Sequence, residues 1–90
     1  MYQLVYSTGY LKKEIKFLKK HKDMFEAYSK TLKLLKKDPF YPSLRLHKLK
    51  GTLKEYYSVS INMNYRIVID LIIIDDKIIL LDIGNHDEVY

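Results

Sequence analysis

Cysteine and tryptophan are absent from this 90-residue chain, and it holds only three glycines and two prolines. Without cysteine there is no disulfide scaffold, and the composition fits a reducing cytosol. Scarce glycine and proline leave no room for a flexible linker or a low-complexity tract, and no internal repeat is visible. The longest apolar runs are broken by Asp70, Asp75, Asp76, Lys77 and Asp82, so none is long enough to span a bilayer. The first residues, Met1-Tyr-Gln-Leu-Val-Tyr6, have neither the basic start nor the long apolar stretch of a secretory leader and read as a strand. A cytoplasmic protein with no membrane association is therefore expected.

Hydrophobic residues make up 48% of the chain, which is enough for one modest core and excludes a disordered polymer. A single domain spanning residues 1–90 is expected. Acidic residues are scarce in the first part. Residues 1–54 carry fourteen Lys and Arg against four Asp and Glu, and residues 55–90 carry two against seven. The basic part is suited to a polyanion, nucleic acid being the commonest, although helical lysines also serve simply as a solvated face.

The organising stretch runs from Tyr56 to Tyr90. β-branched residues and tyrosines dominate it, and turn residues at Asn62-Met-Asn64 and Asp75-Asp-Lys77 cut it into three strand-length pieces. Alternation in the middle piece places Tyr65, Ile67, Ile69, Leu71 and Ile73 on one face and Arg66, Val68, Asp70 and Ile72 on the other. A tight first turn puts Ser60 opposite Arg66 and Ser58 opposite Val68. In the second hairpin, apolar matching favours Ile73 on Ile79, Leu71 on Leu81 and Ile69 on Ile83, a register that sets His86 across from Arg66 and Asp70 across from Asp82.

Two helices precede this meander. Ser7 and Thr8 are placed to cap the first, whose apolar positions Leu11, Ile15 and Leu18 recur at helical spacing among lysines. His21-Lys22 is a break. Asp23 with Glu26 resembles a capping box for the second helix, whose core stripe is Phe25, Tyr28, Leu32 and Leu35. Asp38-Pro39 ends it, because the residue before proline avoids the helical region. The expected helices run from about Thr8 to His21 and about Asp23 to Lys37. Leu44 to Leu49 reads as a further short strand. The expected fold is α+β: an N-terminal strand and an antiparallel helix pair, packed on one face of a twisted antiparallel sheet.

Three segments, His47-Lys-Leu-Lys-Gly51, Asn64-Tyr-Arg-Ile-Val68 and Gly84-Asn-His-Asp-Glu-Val-Tyr90, together resemble the RelE/ParE superfamily of type II toxins, and the RelE/YafQ-type mRNA interferases most. The order of elements agrees, so the resemblance covers essentially the whole chain. It implies a ribosome-dependent mRNA endoribonuclease, held inactive by a cognate antitoxin. The ParE-like alternative is a non-catalytic gyrase inhibitor, or a toxin retained for antitoxin binding. By this resemblance Arg66 matches the arginine that contacts the scissile phosphate. His47 and His86 match histidines of the family site, and Tyr90 matches the tyrosine of a Glu-Val-Tyr ending. The chain departs from the family at Ser58 and Ser60, where RelE carries strand lysines, and at Ser43, where another branch has a glutamate base. Ser60 and Asn64 also stand where the YafQ type has a histidine and an aspartate.

The chemistry this implies needs no metal. The RNA 2′-hydroxyl attacks phosphorus once a base removes its proton. An acid protonates the leaving 5′-oxygen, and a cation holds the charge on the phosphoryl oxygens. His47 and His86 suit the two proton roles, Arg66 suits the cation, and Tyr90 suits stacking or proton donation. Arg45, Lys48, Lys50 and Lys54 would grip the RNA backbone. No pair of histidines or carboxylates has metal-ligand spacing on one element, so neither a metal nor a small-molecule cofactor is expected. The plainer readings stay open here: Arg66 paired with Asp70 or Asp82, and His47 and His86 as solvated surface residues.

Overall fold

The computed structural model describes residues 1–51 and 56–85. Strand β1 (Gln3–Tyr6) leads into helix α1 (Tyr10–Lys20), a 3-10 turn at Lys22–Met24 and helix α2 (Phe25–Lys37). A second 3-10 turn, Pro42–Leu44, precedes strands β2 (His47–Lys48), β3 (Tyr57–Ser60), β4 (Tyr65–Ile72) and β5 (Lys77–Asn85). They form one five-stranded sheet in the order β1-β5-β4-β3-β2. The β2–β5 segment is an antiparallel meander, whereas β1 lies parallel to β5, so the sheet is mixed.

The helices cover the Ile67/Ile69 face. Val59, Ile67, Ile69, Ile78 and Leu80 are fully buried there against Tyr10, Phe17, Met24, Tyr28 and Leu35, with Leu44 closing one side. Each such aliphatic side chain contributes about 1.5–3 kcal/mol through burial. Strand alternation thus predicted the inner face from Tyr65 to Leu71, but Ile73 is 60% exposed because the strand has already ended.

That early end corrects the second turn. The loop is Ile73–Asp76, closed by the Asp76 amide donating to the Ile73 carbonyl at 3.2 Å, with Asp76 in the left-handed region at φ 52°. Asp tolerates that conformation better than a β-branched residue does. The register moves with the loop. Gly84, not His86, pairs with Arg66, and Asp70 pairs with Ile79. A bulge between Val68 and Ile69 leaves Leu81 without a partner residue on β4, so the inward positions of β5 switch from Ile78 and Leu80 to Ile83. The expected Asp70–Asp82 confrontation is absent: Asp82 pairs with Val68 and takes Lys13 of α1 as a salt-bridge partner at 3.4 Å.

The first turn follows expectation. Asn62 Oδ1 accepts from the amides of Asn64 and Tyr65, at 2.8 and 2.9 Å, and fixes the β3–β4 pairing of Ser60 with Arg66 and Ser58 with Val68.

The helix ends and faces differ from expectation in three places. Gly9, at φ 91°, precedes α1 with no side-chain cap, because the chain turns there through a conformation only glycine adopts freely; Ser7 contributes its carbonyl to the Tyr10 amide instead. Asp23 and Glu26 form no capping box, since a 3-10 turn intervenes and Met24, without a side-chain cap, precedes α2. The buried residues of α1 are Tyr10 and Phe17, while Leu11 and Ile15 are 54% and 55% exposed and only Leu18 packs partly on the core. In α2, Tyr28 and Leu35 are buried and Leu32 packs against the core as expected, but Phe25 is exposed and Met24 fills the interior in its stead. Asp38 is extended and ends α2 as expected, its carboxylate accepting from the Phe40 amide at 2.9 Å.

A polar chain ties the helices together inside this layer. The Tyr28 hydroxyl donates to Glu14 Oε2, and since it has one proton, Tyr10 donates to Tyr28, 2.8 Å away. Burial pushes both phenols well above the usual tyrosine range.

Candidate functional site

The sheet face opposite the helices carries the candidate site. Paired residues of an antiparallel sheet point the same way, so the pairs His47–Ser58, Ser58–Val68 and Ser60–Arg66 place His47, Ser58, Ser60 and Arg66 on one face. Arg66 is half-buried. Its Nε donates to Ser58 Oγ at 2.9 Å, and its terminal nitrogen donates to the Arg45 carbonyl at 3.0 Å. Both acceptors are neutral oxygens, so the guanidinium is oriented without having its charge cancelled by those contacts. The ion pair to Asp82 considered from sequence is not formed; Asp82 is engaged by Lys13 on the helix side.

Local conformation explains the second contact. The 3-10 turn Pro42–Leu44 ends at Arg45 in the left-handed region, φ 48° and ψ 52°. Its carbonyl is thereby brought to Arg66. The Arg45 side chain is exposed, as are His47, Lys48 and Lys50. The expected short strand at Leu44–Leu49 contracts to His47–Lys48, extended by the Leu49 amide donating to the Tyr56 carbonyl at 2.9 Å.

The described residues therefore bring together Arg66, His47 and the Arg45 backbone around Ser58. His86, Tyr90 and Lys54 lie outside the described residues. Among the described residues, no three His, Cys, Asp or Glu side chains group so as to hold a metal ion, and no helix is long and apolar enough to cross a membrane.

Two features escaped the sequence reading. The sequence places Ser58 opposite Val68 and marks it as a position lacking lysine, but does not show that its buried hydroxyl is the anchor of Arg66. The Ser-x-Ser alternation opposite Tyr-Arg was the available signal. The second feature is an aromatic cluster at the end of the helix layer. His21 ends α1, its ring centroid 4.8 Å from that of Phe17 and 4.6 Å from that of Tyr65, and its Nδ1 lies 3.2 Å from Tyr65 Oη. Beside it, Lys13, Lys16 and Lys20 line a cleft of about 270 Å³ whose other walls include Phe17, Asp82 and Gly84. Nothing in the residue pattern around His21-Lys22, which reads as a break, marks this cluster.

A helix pair on one face of a mixed five-stranded sheet, with an N-terminal strand, is the RelE-like α+β fold. Full-length structural matches to toxins of the RelE/ParE superfamily share it. A copper-bound mutant toxin from Helicobacter pylori is 27% identical with a TM-score of 0.78, the match covering 100% of both chains. The Escherichia coli DinJ–YafQ toxin–antitoxin complex matches with 20% identity and a TM-score of 0.78 over 99% of this chain and 97% of the other. The Staphylococcus aureus YoeB–YefM complex matches with 23% identity and a TM-score of 0.72 over 96% and 98%. No protein-family model and no curated protein sequence matches the chain.

Proposed function

We propose that this protein is the toxin of a type II toxin–antitoxin pair and acts as a ribosome-dependent mRNA endoribonuclease in the cytoplasm. The observation that carries the reading is the Arg66 guanidinium on the sheet face opposite the helices, held by Ser58 and the Arg45 carbonyl and not neutralised by either. The shared fold supports the toxin class, and the complexes formed by YafQ and YoeB support a cognate antitoxin as partner.

In the proposed reaction Arg66 grips two phosphoryl oxygens of the scissile phosphate and stabilises the charge that builds on them. Orientation matters because a free arginine must first be immobilised; here two hydrogen bonds have already done so. His47, across from Ser58, is one of the two proton-transfer groups and His86 is the other. Tyr90 stacks on a base or donates a proton. Arg45, Lys48, Lys50 and Lys54 hold the RNA backbone through its phosphates. The residues themselves provide base, acid and cation, so the 2′-hydroxyl attack requires no metal.

Induced expression followed by mapping of cellular mRNA 5′ ends tests this. Growth arrest with new 5′ ends inside translated regions is expected. Arrest without any RNA cleavage would point to the gyrase-inhibitor alternative.

A further inference from the structure

Tyr6, Tyr10, Phe17, Tyr28 and Tyr65 each meet a neighbouring ring. Phe40 and Tyr41 do not. They follow one another in the loop after α2, 55% and 43% exposed, and neither meets another ring among the described residues. The backbone that carries them is pinned on both sides. Pro39 and Leu44 are fully buried. The Phe40 amide donates to Asp38 Oδ1 at 2.9 Å and the Tyr41 amide to the Asp38 carbonyl at 3.1 Å, while the Tyr41 carbonyl accepts from the Leu44 amide at 3.0 Å. Two exposed rings on a fixed backbone can take a partner with little further ordering cost.

The surroundings say what kind of partner. Residues 39–51 include no Asp or Glu, and they carry Arg45, His47, Lys48 and Lys50, all exposed. The aliphatic side chains of the same segment are withdrawn: Leu44 is buried, and Leu46 and Leu49 are half-buried. Rings without exposed aliphatic neighbours in the segment offer a protein partner little contiguous apolar area. Rings interleaved with cations suit single-stranded nucleic acid, because the cations hold phosphates and every base has a face to stack. The position fits as well. One 3-10 turn, Pro42–Leu44, rising about 2 Å per residue, separates Tyr41 from Arg45. The Arg45 carbonyl in turn lies 3.0 Å from the Arg66 guanidinium. One strand can therefore meet the rings and Arg66 with neighbouring nucleotides.

We infer that Phe40 and Tyr41 form a base-stacking subsite for single-stranded RNA, which receives unpaired bases of the strand whose phosphate lies at Arg66. This subsite is additional to the stacking assigned to Tyr90 and sits on a different segment of the chain. It binds and orients the strand and takes no part in proton transfer. Its preference is for unpaired bases and not for a particular sequence, since stacking uses the face that all bases share. Base-paired RNA has its faces already covered and gains nothing from the rings. That the strand is mRNA cut at Arg66 rests on the nuclease reading; that the rings stack on bases does not.

The test is titration of a short single-stranded oligoribonucleotide that carries the fluorescent base 2-aminopurine and 2′-O-methyl groups, so that it cannot be cut. Stacking quenches the fluorescence, and the titration gives the affinity. Phe40→Ala and Tyr41→Ala are each expected to weaken binding by about tenfold and to relieve quenching. Phe40→Leu and Tyr41→Leu keep apolar bulk without a ring face and are expected to behave like the alanine variants. Phe40→Trp and Tyr41→Trp are expected to bind and quench at least as well as the wild type. A duplex of the same sequence is expected not to distinguish wild type from variants. Thermal melts check folding, and the leucine–tryptophan comparison carries the test where an alanine variant melts early. No quenching by the wild type, unchanged affinity in the alanine variants, or leucine variants that bind like the wild type overturns the inference. So does loss of a co-purifying protein from the ring variants with RNA binding unchanged. Ring-dependent binding by a protein that cuts no mRNA in cells keeps the subsite and removes the nuclease reading. Cleavage of ribosome-bound mRNA by a protein whose RNA binding ignores the rings does the reverse.

Discussion

Arg66 donates through Nε to Ser58 Oγ at 2.9 Å, a diagonal contact between neighbouring strands, since the residue directly paired with Arg66 is Ser60. The diagonal leaves the far end of the guanidinium to reach the Arg45 carbonyl. Arg66→Ala is expected to reduce cleavage of ribosome-bound mRNA by roughly a hundredfold or more, in line with the loss of one charge-stabilising group. Arg66→Lys is expected to recover little of it, because an ammonium lacks the planar fork. Single-turnover cleavage on programmed ribosomes measures both.

Ser58→Ala removes the anchor and keeps the cation. A loss of about tenfold in cleavage is expected, the equivalent of one hydrogen bond, with the wild-type melting temperature nearly kept. A variant as inactive as Arg66→Ala would mean that Ser58 itself touches the RNA.

His47 is exposed, so its replacement should not disturb the fold. His47→Gln and His86→Gln are each expected to lower cleavage by about a hundredfold or more, typical of one proton-transfer group. Full growth arrest by either variant would remove that histidine from the reaction.

Ile67 is fully buried between sheet and helices. Ile67→Ala is expected to cost about 2–5 kcal/mol of unfolding free energy, combining lost transfer energy with a residual cavity. Urea unfolding at equal protein concentration measures it. Ile74→Ala, at 95% exposure, serves as the surface control and is expected to change stability by less than about 0.5 kcal/mol.

The buried phenols set an alkaline limit. Burial raises Tyr10 and Tyr28 above the unfolded tyrosine value of 10.0. Above that pH the unfolded chain releases protons that the folded chain retains, so stability falls as pH rises, and it is unaffected by these groups below it. Tyr28→Phe is expected to flatten the decline above about pH 10 relative to wild type. Urea melts between pH 7 and 11 show whether it does; parallel curves would assign the decline to the lysines.

The sequence by itself determined the order of elements, the inner face of β4 and the first hairpin. Each was set locally. Tyr65, Ile67, Ile69 and Leu71 alternate with no competing pattern, Asn62 makes its own turn, and Asp38-Pro39 forbids further helix. Tertiary structure alone decided which stripe of α1 is buried, because Tyr10/Phe17 and Leu11/Ile15/Leu18 satisfy helical spacing equally well and only the shape of the sheet selects the aromatics. It also decided the second hairpin. Apolar residues on both sides of the Asp75-Asp76 turn made several registers equally good on paper, and the bulge at Leu81 follows from the demand that Ile78, Leu80 and Ile83 all enter one core. The anchoring of Arg66 was beyond any local pattern for the same reason: Ser58 and Arg45 reach it from two other elements, and their distances exist only once the sheet and the Pro42–Leu44 turn are in place.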